Sequence, residues 1–176
     1  MARSSSLKRA EEVVNKLLAD YNLRDPEKLC KELGLTIYDC PDFQDLKGMY
    51  ACISGRPCIF VKADLSTSMR KVILAHELGH HLLHNDILGD LAIVQDHSFF
   101  DMSSLPELEA NLFAAELLLD DANFLDLAKR GLSLEQLAGA FEMPVELMQV
   151  KADILYHKGV KLRLPEPVAA DFLKDA

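Results

Sequence analysis

The chain is short of positive charge: 19 lysines and arginines stand against 28 aspartates and glutamates, for a net charge of -9. Such a surface repels phosphate backbones and anionic membranes unless a local patch overrides it, which argues against nucleic acid as a direct partner. No stretch approaches the ~20 uninterrupted apolar residues of a membrane span and the N-terminus carries no apolar leader, so no membrane association is expected. The four cysteines, Cys30, Cys40, Cys52 and Cys58, lack C-x-x-C spacing and do not resemble a zinc ribbon. A Cys52–Cys58 disulfide across a hairpin is geometrically conceivable. The missing leader nevertheless favours free thiols and a cytoplasmic, reducing setting.

What is present is a 176-residue chain that is 49% hydrophobic, enough to bury one substantial core. The most informative stretch runs from Val72 to His84 and contains His76-Glu77-Leu78-Gly79-His80 in an apolar, proline-free segment. On a helix, positions i and i+4 lie about 40° apart, so His76 and His80 can send their imidazoles to one point. That point suits a zinc ion, which takes nitrogen ligands and in catalytic sites keeps three protein ligands with one open position. Glu77 lies about 100° from His76, where a carboxylate can take a proton from a metal-bound water. An apolar helix carrying histidines can also be plain core, so the third ligand matters.

Before the motif, apolar residues from Leu7 to Tyr21 recur at helical spacing, and residues 1–6 are small, polar and expected to fray. A short helix follows from Pro26 to Leu33, with Asp25 as its cap and Gly34 past its end. Leu35–Cys40, residues 47–54 and residues 57–61 read as strands, the last two forming a hairpin about Gly55-Arg56. Gly48, Met49, Tyr50, Ala51 and Cys52 are the candidate edge strand for holding an extended peptide; an ordinary hairpin over the core is the competing reading. Ser66 to Ser68 starts the histidine helix, which runs to about His84. Gly79 within it costs about 1 kcal/mol of helix propensity and marks close approach by another backbone.

Residues 85–104 read as a loop in which Leu91–Val94 is a short ordered piece, and Ser104 begins another helix from Leu105 to about Leu119. Glu109, Leu112, Phe113 and Glu116 share one face of it, while Glu107 points nearly opposite and reads as a solvated acid at the helix start. Either Glu109 or Glu116 can complete the site, and they stand roughly 10 Å apart along the axis. Periodicity does not choose between them.

The segments Ala75–His84 and Glu107–Leu119 together closely resemble the ImmA/IrrE family of metallopeptidases, which pairs an A-H-E-x-G-H helix with a following E-A-N-x-F-A-A-x-L-L helix. The resemblance implies an α+β, zincin-like fold: a small, mostly antiparallel sheet of about three strands, a central H-E-x-x-H helix and a C-terminal helical module. It implies zinc ligation by His76, His80 and Glu109, with Glu77 as general base and Glu116 as a supporting or surface carboxylate. His97, His84 and Tyr50 are candidates to stabilise the oxyanion. The implied function is a zinc endopeptidase that cleaves a helix-turn-helix repressor and so relieves repression of a mobile element, prophage or stress regulon. The alternative is a non-catalytic, zinc-stabilised anti-repressor that docks to its partner; retention of Glu77 favours the enzyme.

Three units are expected: residues 1–120 as the peptidase domain, 121–157 as the helical module, and 158–176 as a tail. In the module, Ser133–Gln136 forms a capping box, and helices meeting at Pro144 have a helix-turn-helix outline. The second of these offers Glu146, Gln149, Lys151 and Asp153 rather than a basic face, which suits packing or partner docking better than DNA.

Overall fold

The computed structural model describes residues 2–88, 93–96, 100 and 104–165. In chain order these form α1 (Ala2–Tyr21), α2 (Pro26–Glu32), β1 (Thr36–Cys40), β2 (Gly48–Ile53), β3 (Arg56–Lys62), α3 (Thr67–Leu88), β4 (Ile93–Asp96), α4 (Leu105–Leu118), α5 (Asp121–Lys129), α6 (Leu134–Phe141) and α7 (Val145–His157). The fold is α+β, as expected. Helix starts follow their caps: Asp25 accepts from Lys28 N at 3.1 Å, Ser104 from Glu107 N at 3.4 Å, and Ser133 exchanges bonds with Gln136 in a capping box. At the N-terminus the chain departs from expectation, because α1 starts at Ala2 and Ser6 is buried.

The sheet has four strands in the order β1-β3-β2-β4, one more than the sequence suggests, and it is mixed: β1 pairs parallel with β3, while β2 is antiparallel to both β3 and β4. Ser54 and Gly55, both at positive φ, turn the β2–β3 hairpin between Ile53 and Arg56. Two positive φ values in a two-residue turn match the twist of the flanking strands. Cys58 pairs with Ala51 and Cys52 with Pro57, so the two thiols lie on opposite faces, and all four cysteines are free.

One face of the sheet lies against α3, and α4 packs on α3 from another side, with α1 against both helices. Residues 72–80 of α3 are all buried. One apolar cluster runs from Ala10 and Val14 through α3 and α4 to Phe124, Leu137, Leu147 and Ile154, so α5–α7 share the core of the rest. The join between α4 and α7 is partly ionic: Lys151, which has no exposed surface, donates to Glu116 Oε2 at 2.8 Å and also contacts Asp121. Lys158 meets Glu116 Oε1 at 2.7 Å.

Removing one partner from a buried ion pair leaves the other charge poorly solvated. Lys151→Met is expected to lower unfolding free energy in urea by about 3 kcal/mol. Lys158→Met, at a site 26% exposed, is expected to cost about 1 kcal/mol or less. Equal losses would show that burial of Lys151 carries no special weight.

Candidate metal centre

The centre is built where α3 and α4 touch. A Cβ on Gly79 would lie 3.2 Å from Ala110 Cα and 3.1 Å from Phe113 Cδ1, so the glycine sets the approach that the sequence suggests. On α3, His76 and His80 are completely buried and their Nε2 atoms are 3.0 Å apart. From the first turn of α4, Glu107 brings Oε2 to 3.2 Å from His76 Nε2 and Oε1 to 3.4 Å from His80 Nε2. One ligand atom from each of the three lies within 4.8 Å of the others, and the set could hold a metal ion.

The far nitrogens of both imidazoles are held. Asn111 Oδ1 lies 3.0 Å from His76 Nδ1, and His84 Nδ1 lies 3.2 Å from His80 Nδ1. An amide oxygen can only accept, so His76 donates from Nδ1 and turns an Nε2 lone pair to the centre. Glu107 Oε2 is buried and, among the described residues, accepts no hydrogen bond of good geometry. A buried carboxylate facing imidazole lone pairs needs a cation, and two nitrogens with one carboxylate form a donor set that fits zinc. Burial alone would raise the Glu107 carboxyl, but the His76 and His80 imidazoles beside it outweigh burial and hold it well below the usual carboxylate range. On His80 burial is the largest influence and lowers the pKa despite Glu107, favouring the neutral imidazole that ligates metals.

Glu77, also completely buried, faces β2. A Cβ on Gly48 would meet Glu77 Oε1 at 2.8 Å and Ile73 Cγ2 at 2.4 Å. The absence of a side chain at Gly48 therefore leaves room for the carboxylate.

Several expected placements need correction. Glu109 is not beside His76 and His80: its carboxylate accepts from Ser6 Oγ at 2.9 Å and Arg9 Nη1 at 3.0 Å, and lies 3.0 Å from His84 Nε2. Glu107, taken as solvated, occupies the position instead, with a side chain only 16% exposed. The wheel does separate the two carboxylates. What fails is the premise that α4 has a solvent face, for Glu109 through Leu117 are all buried. Glu116 belongs to the Lys151–Lys158 ion cluster. Gly48–Cys52 is not a sheet edge, because β4 covers Gly48–Ala51 on the side away from β3. Tyr50 is buried with its hydroxyl 2.9 Å from His81 Nδ1, and burial, followed by Cys52 and Cys58, pushes the phenol up to about 12. His84 stands behind His80. His97 lies outside the described residues.

Glu107 and Asn111 are the site residues that the sequence reading missed. They are four apart on α4, so they share a face just as His76 and His80 do. Two polar residues at that spacing, on the same helix as Glu109 and Glu116, were the available signal.

The sequence model of the IrrE N-terminal-like domain, a peptidase family, matches residues 30–153. The chain belongs to this family. It is also 25% identical over 138 residues to an "uncharacterized immunity region protein 2" of Bacillus phage phi105, covering 78% of this chain and 85% of the phage protein. Membership of a metallopeptidase family and the His76–His80–Glu107 donor set both point to a metal ion at this centre. No helix among the described residues is long and apolar enough to cross a membrane.

Gly48→Ala is expected to lower stability by about 1–3 kcal/mol, since the methyl must displace Ile73 or the Glu77 carboxylate in a closed core. A urea midpoint equal to that of the unsubstituted chain would mean that the space is not closed.

Proposed function

We propose that the protein is a zinc-dependent endopeptidase, with the metal held by His76, His80 and Glu107 and with Glu77 as general base. The observation that carries the reading is the convergence of two buried histidines and one carboxylate beside a buried glutamate, in a chain of a peptidase family. Zinc held there would supply a Lewis acid and a water whose pKa is lowered towards ~7. Asn111 fixes the ring of His76, and Glu107 supplies the negative charge that a dication requires. Glu77 takes the proton of the attacking water at its carboxylate and passes it to the leaving amine.

The substrate we propose is a helix-turn-helix repressor, cleaved to relieve repression, and the reaction is placed in the cytoplasm. Support comes from the phage relative, whose name assigns it to an immunity region, and from four free cysteines, which suit a reducing compartment. Residues 121–157 are proposed as a helical module that packs on the peptidase core and presents the partner-docking surface. A substrate bound in extended form would add to β4. Its outer side is unpaired among the described residues, and its inner partner is the strand that touches Glu77.

Glu77→Gln is expected to keep stoichiometric zinc by elemental analysis while losing cleavage of the cognate repressor by about 100-fold or more. Glu107→Gln should lose most of the zinc and Glu116→Gln should keep it. Cleavage by Glu77→Gln at the wild-type rate would sink the catalytic reading and leave the metal-stabilised binding module in its place. Full zinc retention by Glu107→Gln would overturn the ligand assignment.

A further inference from the structure

Behind His80 a file of polar side chains runs from the centre to the surface of α1. His80 Nδ1 lies 3.2 Å from His84 Nδ1, and His84 Nε2 lies 3.0 Å from Glu109 Oε2. Glu109 in turn accepts from Arg9 Nη1 at 3.0 Å on the same oxygen and from Ser6 Oγ at 2.9 Å on the other. Arg9 also donates to the carbonyl of Leu83, tying α1 to α3. His84, Glu109 and Ser6 are 3%, 5% and 2% exposed, so water does not compete for these bonds, whereas the Arg9 side chain is 47% exposed and forms the outer end.

With both imidazoles neutral, the proton positions along the file follow from the groups themselves. A carboxylate paired with a guanidinium only accepts, so His84 must donate to it from Nε2. A neutral His84 then has only a lone pair left on Nδ1, which obliges His80 to donate from its own Nδ1. The one remaining orientation for His80 turns an Nε2 lone pair towards His76 and Glu107, the form a metal ligand needs. A single donor-to-acceptor polarity therefore runs from His80 through His84 to Glu109, which Arg9 and Ser6 meet as donors from the α1 side.

We propose that His84 and Glu109 are positioning residues that fix the tautomer and ring orientation of His80, held in place by Ser6 and Arg9 of α1. The inference rests on the metal-centre reading above. It assigns a function to α1, which precedes the segment matched by the family model, residues 30–153. Glu109, which the sequence suggests as a direct ligand, acts through His84 instead.

The test uses the full chain and zinc as the probe. Affinity is read by competition with a chelator of known affinity, the thermal midpoint is taken on apo protein, and the visible bands of the Co2+-loaded protein report ligand geometry. His84→Phe and Glu109→Leu are expected to weaken zinc binding by about 10–100-fold and to shift the cobalt bands. Glu109→Gln can place its amide oxygen where Oε2 stands and offer its NH2 to Ser6 Oγ, so it should bind zinc close to wild type. Arg9→Met should fall between these. The inference is overturned if His84→Phe and Glu109→Leu bind zinc as tightly as wild type and only the apo midpoint falls. Equal weakening in Glu109→Gln and Glu109→Leu would also overturn it. If the wild-type chain itself binds no zinc, the metal-centre reading fails first, and that result is distinct from the other two.

Discussion

For side chains no longer than a glutamate to meet at one point, the two helices carrying them must lie closer than ordinary packing of branched side chains allows. Gly79 on α3, facing Ala110 and Phe113 on α4, is where that closeness is achieved. The contact does more than save space. By seating Ala110 and Phe113 against one spot of α3 it fixes the rotation of α4, and rotation decides which side chains reach the histidines. With Ala110 at Gly79, Glu107 and Asn111 turn to His76 and His80, while Glu109 turns to His84 and α1. A rotation of α4 by one residue, about 100°, would take both Glu107 and Asn111 away.

Charge accounts for the rest of α4. The helix carries three acidic residues at low exposure, Glu107, Glu109 and Glu116, and carboxylates in such places need cationic partners. Glu109 has Arg9, and Glu116 has Lys151 and Lys158. Among the described residues, Glu107 faces two imidazoles, those of His76 and His80. Among the described residues, lysine or arginine thus meets two of the three α4 carboxylates, and the third faces the nitrogens of the H-E-x-x-H motif. A metal ion would balance that third carboxylate, and this charge argument is independent of the motif's spacing.

Much of this was legible in the residues. Caps at Asp25, Ser104 and Ser133, the hairpin between β2 and β3, and the convergence of His76 with His80 all depend on neighbours within a few positions, which a sequence displays directly. Gly79 was legible because glycine weakens a helix interior, a cost that close approach by a neighbouring helix offsets. Errors arose where a residue's role depends on a distant element. Ser6 looked like part of a frayed end because nothing local shows that Glu109 will lie beside it. Glu107 looked solvated because a first-turn acid usually is, and only the packing of α4 on α3 reverses that.

The sheet makes the same point about distance in sequence. Read locally, β2 has one partner, β3, and an open side, which is why it suggested a place for an extended peptide. The strand that closes that side, β4, comes more than forty positions later, after the whole of α3. Once β4 is in place, β2 is interior and its contribution to the site is steric: Gly48 leaves the space that the Glu77 carboxylate fills. The remaining edges among the described residues are β1, with β3 between it and β2, and β4, paired directly to Gly48–Ala51. The strand that abuts the buried glutamate is therefore one step from β4's edge and two from β1's, so the hairpin abuts Glu77 while its late-arriving neighbour offers the backbone edge nearer to it.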